Sequence, residues 1–368
     1  MPSGADTTIQ QHFVEVVQAP RRLLEWPLPL QNRILRLLRR HLMLGAVALG
    51  LGEDELPRGG TKLRDQLDAA RIHASVYRRQ LRWEVRQIVH ALAGLEVPVV
   101  LLKGAAYEFL NLPNARGRWV SDVDILVPRD ALEGVEQALV RHGWEGMKLD
   151  EYDQGYYRQW MHELPPLRHR ERGTVVDVHH AIAPTTSRLR PDSARLLAAA
   201  RALEQPPLHV LAPPDMVLHA AVHLFHDGDL SNGLRELYDL FVLMRHFGAR
   251  AGFWEALEKR AHELGLERPL YYATHHLREG FGFHVPVAMA NRLAARRGLA
   301  SGLVNRAMRE RLRPSDEPAG AWRSALASEL LYLRSHWLRM PPLMLARHLA
   351  TKAWMRRQTV RSEDKAAI

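Results

Sequence analysis

Apolar residues recur at helical spacing through the first quarter of the chain. Residues 28–50 and residues 61–95 both show this repeat. In the second stretch the apolar positions share one helical face: Leu67, Ala70, Ala74, Tyr77, Leu81, Val85, Ile88 and Leu92. The pattern therefore predicts that the first quarter is helical.

The pattern then changes to short runs that are rich in β-branched residues. Residues 96–102 read EVPVVLL, and residues 120–127 read VSDVDILV before a proline. Runs of this length and composition favour strands. A short helix over 105–110 and a longer helix over 130–142, ended by a glycine, give the order strand, short helix, strand, helix.

Further strand signals follow, and a helical half comes after them. Residues 144–149 favour a strand, and residues 167–171 with 174–179 favour a hairpin around an Arg-Gly pair. After Pro191 the strand signal stops. Helices are predicted over residues 192–204, 214–225, 233–247, 252–264 and 267–280.

These elements predict an α+β fold, in which a small mixed β-sheet core is flanked by N-terminal helices and a C-terminal α-helical domain. The proposed division is an N-terminal helical region (1–95), the sheet core (96–185), a helical domain that caps the site (186–290) and a basic C-terminal helical extension (291–368).

Composition places the chain among soluble globular proteins with anionic partners. Of its 368 residues, 46% are hydrophobic and 25% are charged. The net charge of +10 favours nucleotides, nucleic acid or a phospholipid surface as partners, although an arginine-rich proteome would give the same balance. The absence of cysteine excludes disulfides and thiolate metal sites. The run from His41 to Gly52 is too short to cross a bilayer and the N-terminus has no secretion-signal pattern, so we expect a cytoplasmic protein with no integral membrane segment.

The positive charge is concentrated near the C-terminus. Residues 330–362 contain no acidic residue, while they include Trp337 and Trp354. The basic residues of this segment are Arg334, Arg339, Arg347, Lys352, Arg356, Arg357 and Arg361. Basic, aromatic segments of this kind bind polyanions or the surface of a membrane, which here would be the inner membrane surface. The alternative is a helix that packs on the protein's own helical domain.

Three acidic residues carry the candidate chemistry. Asp122 and Asp124 alternate with Val123 in a strand, so both carboxylates share one face. Burying two like charges is costly unless a cation lies between them, and carboxylates on a strand suit Mg²⁺ or Mn²⁺. Asp177 offers a third carboxylate on the hairpin, which would allow the two-ion arrangement used in phosphoryl and nucleotidyl transfer. In the alternative interpretation, Arg116 or Arg118 forms a structural salt bridge with the pair.

Lys103 and Gly104 offer a site for phosphate. They follow a predicted strand and precede a short helix, where a glycine permits a close turn and the start of the helix favours an anion. Elsewhere, His219 and His223 are four residues apart on a predicted helix, but no Glu follows His219 as a metalloprotease would require. We interpret these two histidines as helix-packing residues.

Several motifs together resemble one known family. They are LLKG, the region of Tyr107, Asn-Leu-Pro at 111–113, Arg118, SDVDILV, HELPPL, VVDVHH and LRELYDLFVLM. Between about residues 75 and 285 the chain resembles the bacterial uncharacterised nucleotidyltransferase family of the polymerase-beta-like superfamily. The superfamily usually has Gly-Ser or Gly-Gly where this chain has Gly104-Ala105, so the usual phosphate-binding hydroxyl is missing.

The resemblance implies a role for each candidate residue. Asp122, Asp124 and Asp177 would be catalytic and would bind two Mg²⁺ or Mn²⁺ ions, with an NTP such as ATP as substrate. The implied nucleotide contacts are Lys103, Gly104, Arg118, Ser121 and Arg235. The implied acceptor pocket contains His162, His179 and Asp239, with Glu163 beside them. Relatives in bacterial biosynthetic loci suggest a sugar, lipid-linked or peptide acceptor.

Two alternatives to a nucleotidyltransferase remain at this stage. The first is a noncatalytic descendant of the same fold that binds nucleotide or RNA through its basic face. The second is a glycosyltransferase that uses a nucleotide sugar and Mn²⁺ through the Asp-x-Asp motif. The strand acid Asp177 and the Lys103-Gly104 turn both favour the nucleotidyltransferase over the glycosyltransferase.

Overall fold

The computed structural model describes residues 4–56, 60–147, 161–226, 230–298, 300–315, 322–343 and 345. Helices α1 (Gly4–Gln18), α2 (Arg22–Glu25), α3 (Leu28–Arg40), α4 (Leu44–Gly50) and α5 (Lys62–Ala91) precede the first strand. The prediction that the first quarter is helical is confirmed.

The two predicted N-terminal segments differ in continuity. Residues 28–50 form two helices, because Leu42 between them has a φ of 55°, which a right-handed helix does not allow. The segment predicted over 61–95 is the single helix α5. Thr61 caps its start by accepting a hydrogen bond at 3.2 Å from the backbone N–H of Arg64.

In the described part of the chain, seven strands form one mixed sheet. They are β1 (Val99–Leu101), β2 (Asp122–Leu126), β3 (Trp144–Gly146), β4 (Leu167–His169), β5 (Val175–His179), β6 (Arg201–Ala202) and β7 (Leu208–Val210). The strand order is β3-β4-β5-β2-β1-β7-β6. β2 is parallel to β5 and β1 to β7, whereas the other neighbours are antiparallel. This mixed sheet among helices confirms the α+β class.

Helices surround the sheet and fill the second half. They are α6 (Lys103–Phe109), α7 (Leu132–Arg141), α8 (Ser193–Ala198), α9 (Pro213–His226), α10 (Gly233–Gly248), α11 (Phe253–Glu263), α12 (Glu267–Phe281), α13 (Val287–Ala295), α14 (Ser301–Leu312) and α15 (Trp322–Arg339). The four helices predicted between residues 214 and 280 are confirmed as α9 to α12.

The prediction of an uninterrupted helix over 192–204 is wrong. Helix α8 ends at Ala198, and the short strands β6 and β7 follow it. β7 joins the sheet beside β1, with Leu208 opposite Val99. Strands of two or three residues have too few positions to show alternation, so their conformation depends on pairing. β7 pairs with β1, about a hundred residues earlier in the chain, and β6 pairs with β7. The proposed four-part division of the chain stays a prediction.

β2 presents two chemically different faces. Val123 and Ile125 are buried, and α5 packs against the strand. Asp122 and Asp124 point to the opposite face because side chains alternate along a strand. Electrostatic interactions of Lys103 with Glu236 of α10 and with His219 of α9 place both helices near the acidic face.

Helix α15 carries an apolar stripe on its exposed side. Trp322, Leu326, Leu333 and Trp337 recur at helical spacing and are 71%, 63%, 56% and 48% exposed. The predicted basic segment 330–362 includes the end of this helix, but residue 344 and residues 346–362 lie outside the described residues. No helix in the described ranges combines the length and apolarity that crossing a bilayer requires.

Candidate functional site

The parallel pairing of β2 with β5 brings the three predicted aspartates together. Asp124 lies directly opposite Asp177, and Asp122 lies opposite Val175. In-register partners of neighbouring strands project to the same face of a sheet. The carboxylates of Asp122, Asp124 and Asp177 therefore share one surface, although they come from segments about fifty residues apart.

Asp124 is the most enclosed of the three, with 4% of its surface exposed. Its Oδ1 accepts a hydrogen bond from Lys103 Nζ at 2.8 Å and contacts His179 Nε2 at 3.1 Å. Burial alone would raise the pKa of Asp124, but the charge of Lys103 and the bond to His179 hold this pKa well below its usual range. Asp124 is therefore ionised.

His179 extends this network to the segment before β4. Its Nδ1 lies 3.3 Å from Glu163 Oε2, and its ring centroid is 5.4 Å from that of His162. Burial would lower the pKa of His179, but the hydrogen bond to Asp124 and the charge of Glu163 raise it above the ordinary value. His162, Glu163 and His179, all predicted near an acceptor, are thus brought together with Asp124.

Asp177 has the opposite electrostatic environment. Burial raises its pKa to about 7, and the charges of Asp124, Glu163 and Asp122 contribute to the rise. Its Oδ1 is buried without a hydrogen-bond partner among the described residues. Asp122 is half-buried and its Oδ1 accepts a hydrogen bond at 2.9 Å from the predicted nucleotide contact Ser121.

The carboxylate surface fits a divalent cation. The buried, unpartnered oxygen of Asp177 lies beside two further aspartates, and hard cations prefer oxygen ligands of this kind. The contacts of Asp124 with Lys103 and with His179 both use Oδ1, so Oδ2 takes part in neither. His162, Glu163 and His179 form a second candidate set, because their ligand atoms lie within 4.8 Å of one another.

The Lys103-Gly104 turn differs from the prediction. The residue with positive φ, at 42°, is Lys103 and not Gly104. Gly104 has another role, since a Cβ there would lie 2.6 Å from Arg118 Nη1 and 2.7 Å from a methyl carbon of Val120. Burial would lower the pKa of Lys103, but the charges of Asp124, Asp122 and Glu236 raise it. Its ammonium is bonded to the acidic surface.

Arg118, Arg235 and Asp239 contact one another in a buried cluster. Arg118 Nε lies 2.9 Å from Asp239 Oδ2, and Arg235 Nη2 lies 3.1 Å from Asp239 Oδ1. Arg235 Nη2 also donates to the backbone oxygen of Asn114 at 2.8 Å. These bonds join the loop before β2 to α10. The predicted nucleotide and acceptor roles of these three residues stay predictions.

Glu236 of α10 also belongs to this site, one residue after Arg235 in the stretch that resembles the family segment capping the active site. Its Oε2 lies 2.9 Å from His223 Nδ1, and its charge helps to raise the pKa of Lys103. His219 is 5% exposed, and its pKa is held well below the usual value by burial and by the charge of Lys103. Residues four apart lie on the same face of a helix, so the spacing of His219 and His223 indicated that α9 directs both side chains towards one neighbour.

Comparisons with known proteins place this geometry in a family. The sequence model of a family described as "Uncharacterised nucleotidyltransferase" matches residues 30–282. This range contains every residue of the acidic surface and of the Arg118 cluster. No curated protein matches the chain significantly. No solved structure matches it significantly.

The raised pKa of Asp177 predicts a pH-dependent stability in the absence of divalent ions. A carboxyl whose pKa is about 7 in the folded chain and 3.8 ordinarily favours folding while it is protonated. This contribution is lost as the pH rises between these values, at up to about 1.4 kcal/mol per pH unit. Urea unfolding in EDTA should show a shallower decline for Asp177→Asn than for the unmodified protein. The exposed Asp130→Asn serves as control, and equal slopes for Asp177→Asn and the unmodified protein would contradict the assignment.

The buried cluster predicts a large stability loss for Asp239→Ala. Its removal leaves Arg118 and Arg235 enclosed without their carboxylate, which typically costs about 3–5 kcal/mol. Asp130→Ala removes an exposed carboxylate and should have little effect. Urea denaturation measures both variants, and similar unfolding free energies for the two would show that the cluster does not hold the loop on α10.

Proposed function

The chain belongs to the uncharacterised nucleotidyltransferase family, and from this premise we propose that it transfers a nucleoside monophosphate from an NTP to an acceptor and releases pyrophosphate. The observation that carries the proposal is the in-register pairing of Asp124 with Asp177, with Asp122 on the same face. Three carboxylates on adjacent strands suit a reaction of a triphosphate, because they can hold the cations that offset its negative charge.

The aspartates would hold Mg²⁺ or Mn²⁺, two ions in the full arrangement. When bound there, these ions would supply positive charge that stabilises the triphosphate and the developing charge of the transition state. The lowered pKa of Asp124, which keeps its carboxylate charged at neutral pH, supports this role. The unpartnered Oδ1 of Asp177 supports it as well.

Asp177 is the proposed general base. Its pKa is about 7 while no cation is bound, and the charge of a bound cation would lower this pKa, which leaves an ionised carboxylate that can accept a proton. In the proposed step, the oxygen of the acceptor hydroxyl forms a bond to the α-phosphorus, the bond to pyrophosphate breaks, and the hydroxyl proton passes to Asp177. Pyrophosphate leaves with the electron pair of the broken bond.

The remaining residues divide between contact and positioning. We propose that Lys103, Gly104 and Ser121 contact the nucleotide, because they adjoin Asp124 and Asp122. Arg118 and Arg235 were predicted to contact it directly, but their bonds to Asp239 support a positioning role for the loop before β2. His162 and His179 would border the acceptor, which we propose to be a sugar, a lipid-linked molecule or a peptide.

One observation favours a second candidate, a noncatalytic nucleotide-binding protein. Lys103 and His179 already offset the charge of Asp124, and Ala105 stands where relatives carry a hydroxyl or glycine. Such a protein would bind NTP and release no pyrophosphate. Turnover therefore distinguishes the two candidates.

The transferase proposal predicts that pyrophosphate release depends on Asp177. Each NTP is incubated with the protein and Mg²⁺ or Mn²⁺, and released pyrophosphate is measured. Asp177→Asn should lower the rate at least about 100-fold, because it removes the general base. Asp122→Ala should also weaken metal-dependent NTP binding.

Asp130→Asn, an exposed substitution, controls for general damage. Unchanged turnover in Asp177→Asn would remove the residue from the mechanism, and NTP binding without turnover in the unmodified protein would favour the second candidate. Mass spectrometry of the protein and of candidate sugar, lipid-linked and peptide acceptors would identify where the nucleotide is attached.

We also propose that α15 binds the surface of an anionic phospholipid bilayer. The exposed residues Trp322, Leu326, Leu333 and Trp337 form an apolar stripe, in which Glu329 is an acidic member. Residues 330–362 add basic residues and no acidic ones. An apolar stripe on a helix, in a stretch of sequence with basic and no acidic residues, is the combination that holds a helix at a lipid surface.

The bilayer proposal predicts that Leu326→Ser combined with Leu333→Ser weakens vesicle binding by about tenfold or more, since burial of each leucine contributes roughly 1.5–3 kcal/mol. Co-sedimentation with vesicles of phosphatidylcholine and phosphatidylserine measures the effect. Leu303→Ser, which changes an exposed leucine of α14, should bind as the unmodified protein does. Binding that is unaffected by the double substitution would exclude the stripe.

A further inference from the structure

A second charged cavity lies between α9, α12 and α15, away from the acidic surface. Its volume is about 270 Å³, and its lining includes Arg188, Arg268, Arg296, Arg334 and Glu267. The loop after β5 contributes Arg188, and the other four come from α12, from the end of α13 and from α15. Arginines from four parts of the chain thus converge on one small space.

The acid in this lining does not offset the arginines that face it. Glu267 Oε1 already contacts His262 Nδ1 at 2.9 Å and Arg296 Nη1 at 3.2 Å. Arg188, Arg268 and Arg334 have no carboxylate partner among the residues that the structure describes. Three guanidinium charges of this lining therefore have no contacting carboxylate among the described residues, and the carboxylate of Glu267 contacts His262 and Arg296 instead.

Neutral partners hold two of these arginines in place. Arg334 Nη1 donates to the backbone oxygen of Phe225 at 2.7 Å, and its guanidinium lies 5.1 Å from the ring centroid of Tyr272. Arg188 Nε donates to the backbone oxygen of Trp337 at 3.0 Å, and its guanidinium lies 4.5 Å from that ring's centroid. Backbone oxygens and aromatic faces fix orientation while leaving the full positive charge.

Partial burial makes the charge of Arg334 costly. Burial, together with the like charge of Arg268, lowers the pKa of Arg334, although Tyr272 opposes the change. An enclosed cation is usually paired. Arg188 and Arg268 are exposed residues that line the same cavity, so an anion that enters it would meet all three guanidinium groups. Arginine forks match the oxygens of carboxylate and phosphate groups, and a phosphate offers enough oxygens and charge to accept from several guanidinium groups at once.

We infer that the cavity binds a small phosphate-bearing molecule, with its phosphate between Arg188, Arg268 and Arg334 and its less polar part against Phe225 and Tyr272. The size agrees with this class, because about 270 Å³ is just below the roughly 300–1,000 Å³ of pockets for larger ligands. The ligand is therefore a small group with one or two phosphates, carried either by a free metabolite or by a lipid headgroup.

This site is separate from the acidic surface. His219 of α9 interacts with Lys103 and Asp124, whereas His226, seven residues later, lines the arginine cavity. Seven residues correspond to roughly 10 Å along a helix. The inference does not rest on the proposed transferase activity, because no residue of the cavity belongs to the aspartate surface.

Calorimetric titration of the full chain with inorganic phosphate and with pyrophosphate tests the inference. EDTA in all solutions prevents metal-dependent binding at the aspartates. Arg268→Gln is the informative variant, because Arg268 is exposed and donates no hydrogen bond within the described fold. Its loss should weaken pyrophosphate binding about tenfold or more, since a hydrogen bond to a charged group contributes roughly 1.5–3 kcal/mol.

Arg278→Gln is the matched control, since it removes an exposed arginine from the other end of the same helix. It should bind both probes as the unmodified protein does.

Vesicles of phosphatidylcholine with and without phosphatidic acid provide a second arm. Arg268-dependent binding of the soluble probes identifies a free phosphate compound, and Arg268-dependent binding of the acidic vesicles alone identifies a lipid headgroup. Absence of saturable binding in both arms, or equal binding by Arg268→Gln, would overturn the inference.

Discussion

The parallel, in-register pairing of β2 with β5 is the constraint on which the site depends. It places Asp124 beside Asp177 on a surface that is largely enclosed, where two like charges repel. The protein offsets only one of them. Lys103 and His179 bond to Asp124 and keep it ionised, whereas Asp177 has a pKa of about 7. Neighbouring carboxyls with such different proton affinities are typical of sites that use one as a fixed charge and the other to accept a proton.

The same charges connect the sheet to the helices above it. Lys103 interacts with Asp124 of β2 and with Glu236 of α10, and Asp239 of α10 bonds to Arg118 in the loop before β2. Helix α10 is thereby tied to β2 on both sides of the aspartate pair. Displacement of α10 would expose buried charges, so the network resists it. The helices and the acidic surface therefore form one structural unit.

The sequence predicts the parts of this arrangement that are local. Alternation along residues 120–127 placed both aspartates on one face, and the composition of residues 174–179 identified the strand that carries Asp177. Long-range pairing was not predictable in the same way. The partners Arg118 and Asp239 are 121 residues apart, and β7 pairs with β1, which lies about a hundred residues earlier in the chain. The conformation of Lys103 also depends on its bond to Asp124, and no local residue preference indicates a positive φ for a lysine.

The chain's positive charge is distributed in two physically different ways. At the acidic surface, Lys103 and His179 contact carboxylates, and the remaining negative charge is concentrated on Asp177 and its neighbours. In the arginine cavity, Arg188 and Arg334 contact backbone oxygens and aromatic rings, which orient a guanidinium without reducing its charge. The aspartate surface and the arginine cavity are each left with uncompensated charge of one sign, and that sign selects the ligand. The reason is that a charge removed from water is stabilised chiefly by a close opposite charge. The net charge of +10 alone would indicate only a general affinity for anions. The contacts of individual residues show more than the net charge does: the aspartate surface is suited to cations, and the arginine cavity is suited to phosphate.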